Sequence, residues 1–445
     1  MPADDRPRRP GPDSPWRSVL HRLGQPNIRQ TLTVVVLAVL LAVGAWFSGA
    51  ANGKWQSSVR EEVVWSAAAV EILRHVYGDE APWALEIALA QERGAAVAAA
   101  AHGVGQPGQR AMVEGLVDTK WAAQLRTAHA PQAHLVNDEY WRDGSGFDVS
   151  ARIVDLQSAS ADLLGRRPDR LLRAGDRDSV VAELVVGAAV PLVAGYILVE
   201  LLLRRRRRAR GANEPDDEQT ARDVGLVPSP WAAPRRHRLL SGAALAAWVL
   251  LGVLPLAQLH AEHVSARAST QSSRAAVQVA TGIGGGSQLA SFRLTARRDL
   301  ELGTEQRLLL REWVAGEASG DVAAAEQLAV GAHHDALPVM AATTSAMVAA
   351  PAVSAGVDVR LAEVAASGPA EWRHLSQEQL RLLDVADDAG RSASTLALAL
   401  LMSALALSLS ALAMTPTGER SALVTTSPLA LLGVAAVLTV VGLAR

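Results

Sequence analysis

Residues 31–50 read TLTVVVLAVLLAVGAWFSGA. Twenty residues without a charge, rising 1.5 Å each, make a helix about 30 Å long, which matches the hydrocarbon core of a bilayer. Trp46 lies near one end, where interfacial aromatics collect. The rival reading is a cleaved signal peptide, with Ser48, Gly49 and Ala50 as the small-residue site. The run exceeds the usual ~7–15-residue apolar region of such signals, and a long leader precedes it, so an uncleaved span is expected. Further long apolar runs cover residues 180–203, 239–259, 394–414 and 425–443. The expected fold class is all-α, a polytopic membrane protein with about five transmembrane helices and two extracytoplasmic helical bundles.

The arginines orient the spans, because cytoplasmic flanks collect Lys and Arg. Residues 1–30 carry six Arg and residues 204–238 carry ten, five of them the unbroken block Arg204 to Arg208. Both segments are expected inside. Alternation then places residues 51–179 and 260–393 outside, and residues 415–424 inside. One local feature opposes this: Arg166, Arg167, Arg170, Arg173 and Arg177 crowd the outer end of the second span, interleaved with Asp162, Asp169, Asp176 and Asp178. Within residues 204–238, the acidic stretch 213–223 and Pro228, Pro230 and Pro234 indicate a disordered cytoplasmic linker.

Composition removes several function classes. Net charge is −2, so nothing points to nucleic acid. With no cysteine there is no disulfide, thiolate zinc site or cysteine nucleophile. The strong bias toward Arg over Lys is that of a high-GC bacterial genome. No Walker sequence, His-Glu-x-x-His helix or Gly-x-Ser-x-Gly elbow occurs, so the chain is not expected to be an enzyme or to carry a cofactor.

The segment 51–179 is expected to form about four helices. Val63, Ser66, Val70, Leu73 and Tyr77 continue a heptad-like seam out of the first span. A helix begins near Pro82 and stops at Gly103, another covers 109–128, and a fourth covers 148–164, with a polar turn over 137–146. The segment 260–393 repeats that layout. Helices are expected around 291–315, 321–334 and 337–349, and after Pro369, where Trp372, Leu375, Gln379, Leu382 and Ala386 share a face. Gly282 to Gly286 read as a turn or hinge between helices, since neither a strand nor a Lys-Ser/Thr pair marks a phosphate cradle. His260, Glu262 and His263 have a metal-like spacing, but two imidazoles alone are a weak site and read better as polar interface residues. Glu183 and Glu200 sit at span ends rather than at the midplane, where ion pathways would need them.

The outer arginines are the remaining candidates. Arg93 sits in the apolar ALAQERGAAVAAAA, and Arg297, Arg298 and Arg307 lie on TARRDLELGTEQRLLLREW. A guanidinium inside a bundle needs a carboxylate or an anionic ligand. Local salt bridges, with Glu92, Glu301, Glu305 and Glu312 within reach in sequence, are the ordinary explanation.

The elements Leu89-Ala90-Gln91-Glu92-Arg93-Gly94 and Glu305-Gln306-Arg307-Leu308-Leu309, with the Trp372 helix, resemble parts of the nitrate- and nitrite-sensing (NIT) domains of bacterial receptors. That resemblance covers about a quarter of the chain. It implies an extracytoplasmic helical sensor in which arginines such as Arg93 bind a small anion. The chain departs from it in splitting the two elements between separate inter-span segments and in lacking an output domain. The functional expectation is a membrane-embedded sensor or signal-relay protein. Its partners would be the bilayer, a small anion, and a separate cytoplasmic signalling protein or an envelope protein; self-association is compatible. An envelope scaffold is the alternative, and a transporter component comes third.

Overall fold

A computed structural model describes residues 26–102, 105–128, 135, 138–142, 146–211, 234–317, 320–414 and 422–444. The acidic and proline-rich part of the 204–238 linker, the loop with Glu419 and Arg420, and Arg445 lie outside the described residues. Among the described residues the chain is all-α apart from one pair of two-residue strands. In order, the helices are α1 (Pro26–Leu73), α2 (Ala81–Ala101), α3 (Gln106–Ala128), α4 (Val149–Ala159), α5 (Ala161–Leu164), α6 (Pro168–Gly187), α7 (Ala189–Gly211), α8 (Pro234–Glu317), α9 (Asp321–Met347), α10 (Val359–Ala366), α11 (Pro369–Met414) and α12 (Ala422–Leu443). A π-helical turn, Arg74–Glu80, joins α1 to α2, and β1 (Trp141–Arg142) pairs antiparallel with β2 (Gly146–Phe147).

Four helices among the described residues are long and apolar enough to cross a membrane, and Ser427–Leu443 is a shorter apolar helix. The chain divides into two compact units. One comprises Met1–Ser58, Asp169–Thr270 and Arg381–Arg445, the other Val59–Pro168 and Gln271–Leu380. Helices α1, α8 and α11 each supply residues to both units.

The first unit holds the apolar helices. Small residues sit among its leucine contacts: Ala247, Ala399, Ala406 and Ser403 are fully buried, and a side chain on Gly44 would run into Val186. Close backbone approach over small residues is how apolar helices gain contact when their surroundings are equally apolar. At one end of this unit lies a polar knot. Lys54 pairs with Asp178 at 2.6 Å, Trp55 donates to Asp176 at 3.2 Å, and Arg267 reaches Asp176 at 3.0 Å. Asp176 and Asp178, two of the acids interleaved among the arginines of residues 166–178, therefore have partners on α1 and α8. His260 and His263 share one oxygen of Glu183, at 3.1 and 3.3 Å, and His263 Nε2 meets Ser48 at 3.0 Å. Glu262, grouped with these histidines by sequence spacing, instead accepts from Gln258.

The second unit draws on both inter-span segments. Its main core joins Trp65, Leu73, Tyr77, Leu85 and Leu89 from the first to Leu289, Phe292, Met340, Met347 and Leu361 from the second. Sequence patterning assigned these segments to two bundles, whereas the structure packs them as one. Each half contributes one-sided helices, and the second half supplies the facing surface. Helix α9, for example, packs on both α2 and α3.

Three local differences from the sequence reading have clear causes. Residues 282–286 lie inside α8, which is unbroken from Pro234 to Glu317. Each glycine costs a helix about 1 kcal/mol relative to alanine. Here their bare backbone admits neighbours: a side-chain carbon on Gly286 would lie 2.6 Å from the Ser367 carbonyl, and one on Gly285 would lie 2.6 Å from Val364. Helix α10 has no counterpart in the sequence reading. Asp358 caps it, accepting from Arg360 N and Leu361 N. Last, Ser66 and Leu73 of the expected seam, and Tyr77 in the π-helical turn, are buried, but Val63 is 46% exposed, and Ser58, Glu62, Trp65, Ala69 and Ile72 of α1 are buried beside them. The buried face of α1 is thus wider than the expected seam and takes in the residues one position before it, about 100° around the helix.

Candidate functional site

The widened buried face of α1 carries a carboxylate into the second unit. Glu62 is fully buried, and both its oxygens are engaged. Arg274 donates to Oε2 from Nη2 at 2.9 Å and from Nε at 3.3 Å. Arg360 Nη2 and Gln278 Nε2 donate to Oε1 at 2.6 and 3.3 Å. Those donors come from α8 and α10, so this one carboxylate ties together three helices remote in sequence. Charge-assisted bonds of this kind are what make a buried carboxylate tolerable.

Arg360 does a second thing. Its guanidinium lies 3.8 Å from the ring centroid of Trp65, a cation–π contact. Beside this pair opens a cavity of about 190 Å³. Its polar wall includes Ser66, Gln278, Arg360, Glu363 and Glu371, and its apolar wall includes Trp65, Trp372 and Leu375. The Ser66 hydroxyl is buried with no hydrogen-bond partner among the described residues. Trp372 is held in place by donating from its indole nitrogen to Ser367 at 3.1 Å, and Ser367 in turn donates to the Gly282 and Val364 carbonyls. The glycines of α8 are what let Ser367 and Trp372 come this close.

A second buried pair lies at the π-turn. Arg152, on α4, donates to Glu80 at 3.0 Å, and both side chains are essentially inaccessible. His75 reaches the same carboxylate at 3.0 Å, and Asp155 takes another Arg152 nitrogen at 2.8 Å. Burial works against the Arg152 charge, but its bonds to Glu80 outweigh that and leave its pKa raised. With its partners all on the protein, this group reads as a structural tie. Tyr77, buried nearby in the core, has its phenol pKa pushed up by burial.

Of the arginines singled out by sequence, Arg93, Arg297 and Arg298 do not line the cavity. Arg297 is exposed and pairs with Glu301 one turn on, at 2.8 Å. Arg298 is exposed on the same helix. The Arg307 side chain lies outside the described residues. Arg93 is half-buried on α2, and its Nε is buried without a hydrogen-bond partner among the described residues. Next to it, Gly94 sits where α2 meets α3, and a side chain there would lie 2.7 Å from the Gly115 carbonyl. On α3 and α9 a small acidic group includes Glu114, Asp118 and Glu326. Burial lifts the Glu114 carboxyl above its usual range, and the charges of Glu326 and Asp118 add to the lift.

Sequence reasoning passed over Glu62, Arg274 and Arg360. Glu62 stands next to a valine that fits the heptad better, and a lone carboxylate on a helix is normally solvated. The signals that were available are the Asp358 cap, which starts the helix bearing Arg360, and the shared face of Trp372 and Leu375, which does border the cavity. No protein-family model, curated protein or solved structure matches the chain.

Proposed function

We propose that the chain is a multi-pass membrane receptor with its N-terminus in the cytoplasm. In this reading the unit of residues 59–168 and 271–380 is extracytoplasmic and binds a small ligand in the Trp65–Arg360–Trp372 cavity. The observation that carries it is the cavity wall. It combines aromatic surface, an accessible arginine edge and a buried hydroxyl without a partner, a mix of apolar lining and a few converging polar groups typical of small-ligand sites. The Arg distribution supports the orientation. Relay across the membrane is supported by the continuity of α1, α8 and α11, each of which contributes to both units. Sliding or rotation of packed helices is an established way to pass on such a signal.

Topology reporters test the arrangement: fusions after Gly108 and Gly316 should report outside, and one at Asp217 inside. An inside signal at Gly108 would overturn it. Ligand-induced stabilisation of the full-length protein in nanodiscs, screened with small metabolites and inorganic anions, tests the receptor role.

A second reading, an envelope scaffold, is favoured by one observation. Met112, Val113, Leu116, Val117 and Trp121 on α3 are all exposed, between 46% and 60%. Apolar stripes of this kind mark protein or membrane contacts. Co-purification of one stoichiometric envelope protein, lost on replacing Val113 and Val117 by serine, would favour the scaffold.

A further inference from the structure

The charges around the cavity are unevenly placed, and that distribution selects a ligand. At one end, two guanidiniums, Arg274 and Arg360, converge on the single Glu62 carboxylate. Arg274 is buried, but 36% of the Arg360 side chain is accessible, and Glu62 engages only its Nη2. Ser66, 5% exposed, lines the same cavity with its hydroxyl unpartnered. This end offers N–H and O–H donors to an anionic group.

Elsewhere in the wall are Glu363 and Glu371, both exposed and neither in an ion pair among the described residues. Carboxylates offer only acceptors, so they select a cationic group. The side chains of Trp372 and Leu375 supply apolar surface in the same wall. The cavity, about 190 Å³, is of small-molecule size. That admits a small molecule and excludes a folded peptide.

An inorganic anion would satisfy the arginine and leave the two carboxylates facing it unfavourably. A simple amine would meet the carboxylates and leave the arginine edge and Ser66 without an acceptor. A molecule with both charges a few bonds apart meets each wall. Resting on the receptor reading above, we propose that the cavity binds a free α-amino acid. Its carboxylate lies toward Arg360 and Ser66, its ammonium toward Glu363 and Glu371, and its side chain against Trp372 and Leu375.

The experiment uses the full-length protein in nanodiscs, with calorimetry and thermal melts. The probes are the twenty standard L-amino acids, then the primary amine, the amide and the des-amino acid of the best binder, and finally nitrate and acetate. At least one amino acid should bind and raise the melting temperature, and loss of either charged group from it should weaken binding tenfold or more. Glu371→Gln and Ser66→Ala should each weaken that amino acid at least several-fold. Glu371→Gln should leave the ligand-free melting temperature unchanged, because no protein partner is lost. Amino-acid binding that both variants leave intact would overturn the assignment to this cavity. Binding of nitrate, acetate or an amine in place of every amino acid, weakened by the same variants, would overturn the ligand class and leave the receptor reading standing. No binding by any probe would remove both.

Discussion

Glu62 and Arg274 stand 212 residues apart in the chain and meet at 2.9 Å, with side-chain exposures of 0% and 10%. Removing one partner of a buried pair leaves the other charged and unpaired, which typically costs about 3–5 kcal/mol. Glu62→Ala should therefore destabilise the protein by about that amount, since it also strips Arg360 and Gln278 of their acceptor. Replacing both charges by apolar residues of similar length, Glu62→Leu with Arg274→Met, should cost less than either single change. Denaturant melts of the solubilised protein decide it. A Glu62→Ala loss below about 1 kcal/mol, the range of solvated pairs, would show that the pair is not buried in solution.

The glycines of α8 make a sharper test of packing. An exposed helical glycine replaced by alanine normally gains about 0.5–1 kcal/mol. Gly331 on α9 is open, with nothing within 4 Å of an added carbon, so Gly331→Ala should stabilise. Gly286→Ala should do the reverse. Its added carbon would meet the Ser367 carbonyl at 2.6 Å, a backbone atom that cannot rotate away. Overpacking typically costs about 1–3 kcal/mol, which outweighs the gain in helix propensity. Equal stabilisation by the two substitutions would return residues 282–286 to the role of an unpacked hinge.

Glu114 predicts a pH dependence. Its carboxyl is raised above the ordinary 4.5, first by burial and then by Glu326 and Asp118. A raised carboxyl favours the fold in its protonated form. That contribution is complete below the unfolded value and is lost as pH rises through the folded value. Glu114→Gln should therefore stabilise the protein at pH 7, by ~1 kcal/mol or less given the partial exposure of the group. The advantage should shrink as pH falls through the raised folded value toward 4.5, and be gone below it. Paired melts between pH 3.5 and 7 would show it, and a pH-independent difference would contradict the assignment.

Arg93 separates two accounts of the resemblance noted in its sequence neighbourhood. Its Nε has no hydrogen-bond partner among the described residues, so no buried ion pair is broken by Arg93→Met. The substitution keeps the length of the side chain, and stability should change by less than about 1 kcal/mol. A loss of about 3–5 kcal/mol would reveal a buried pair. Titration of the wild-type protein with nitrate and nitrite, repeated on the variant, tests an anion site at this arginine: heat in the first and none in the second would establish one.

By itself the sequence determined the features that depend on short-range chemistry. Long uncharged runs specify helices long and apolar enough to cross a bilayer, because twenty helical residues rise about 30 Å. Seam periodicity, the proline starts of α2 and α11 and the Asp148 cap of α4 are likewise local. Only the tertiary structure decided which face of α1 is buried. Val63 is the better hydrophobe, yet Glu62 goes inside, because Arg274 and Arg360 are brought to it from distant segments. The same holds for residues 282–286, whose glycines disfavour a helix locally but remain helical because Ser367, Val364 and Trp372 pack against their bare backbone. It holds too for the joining of two inter-span segments in one core. Neither segment encodes its partner in any local pattern. The pairing rests on burial and on a few charge contacts spanning hundreds of residues, which exist only once both halves are folded together.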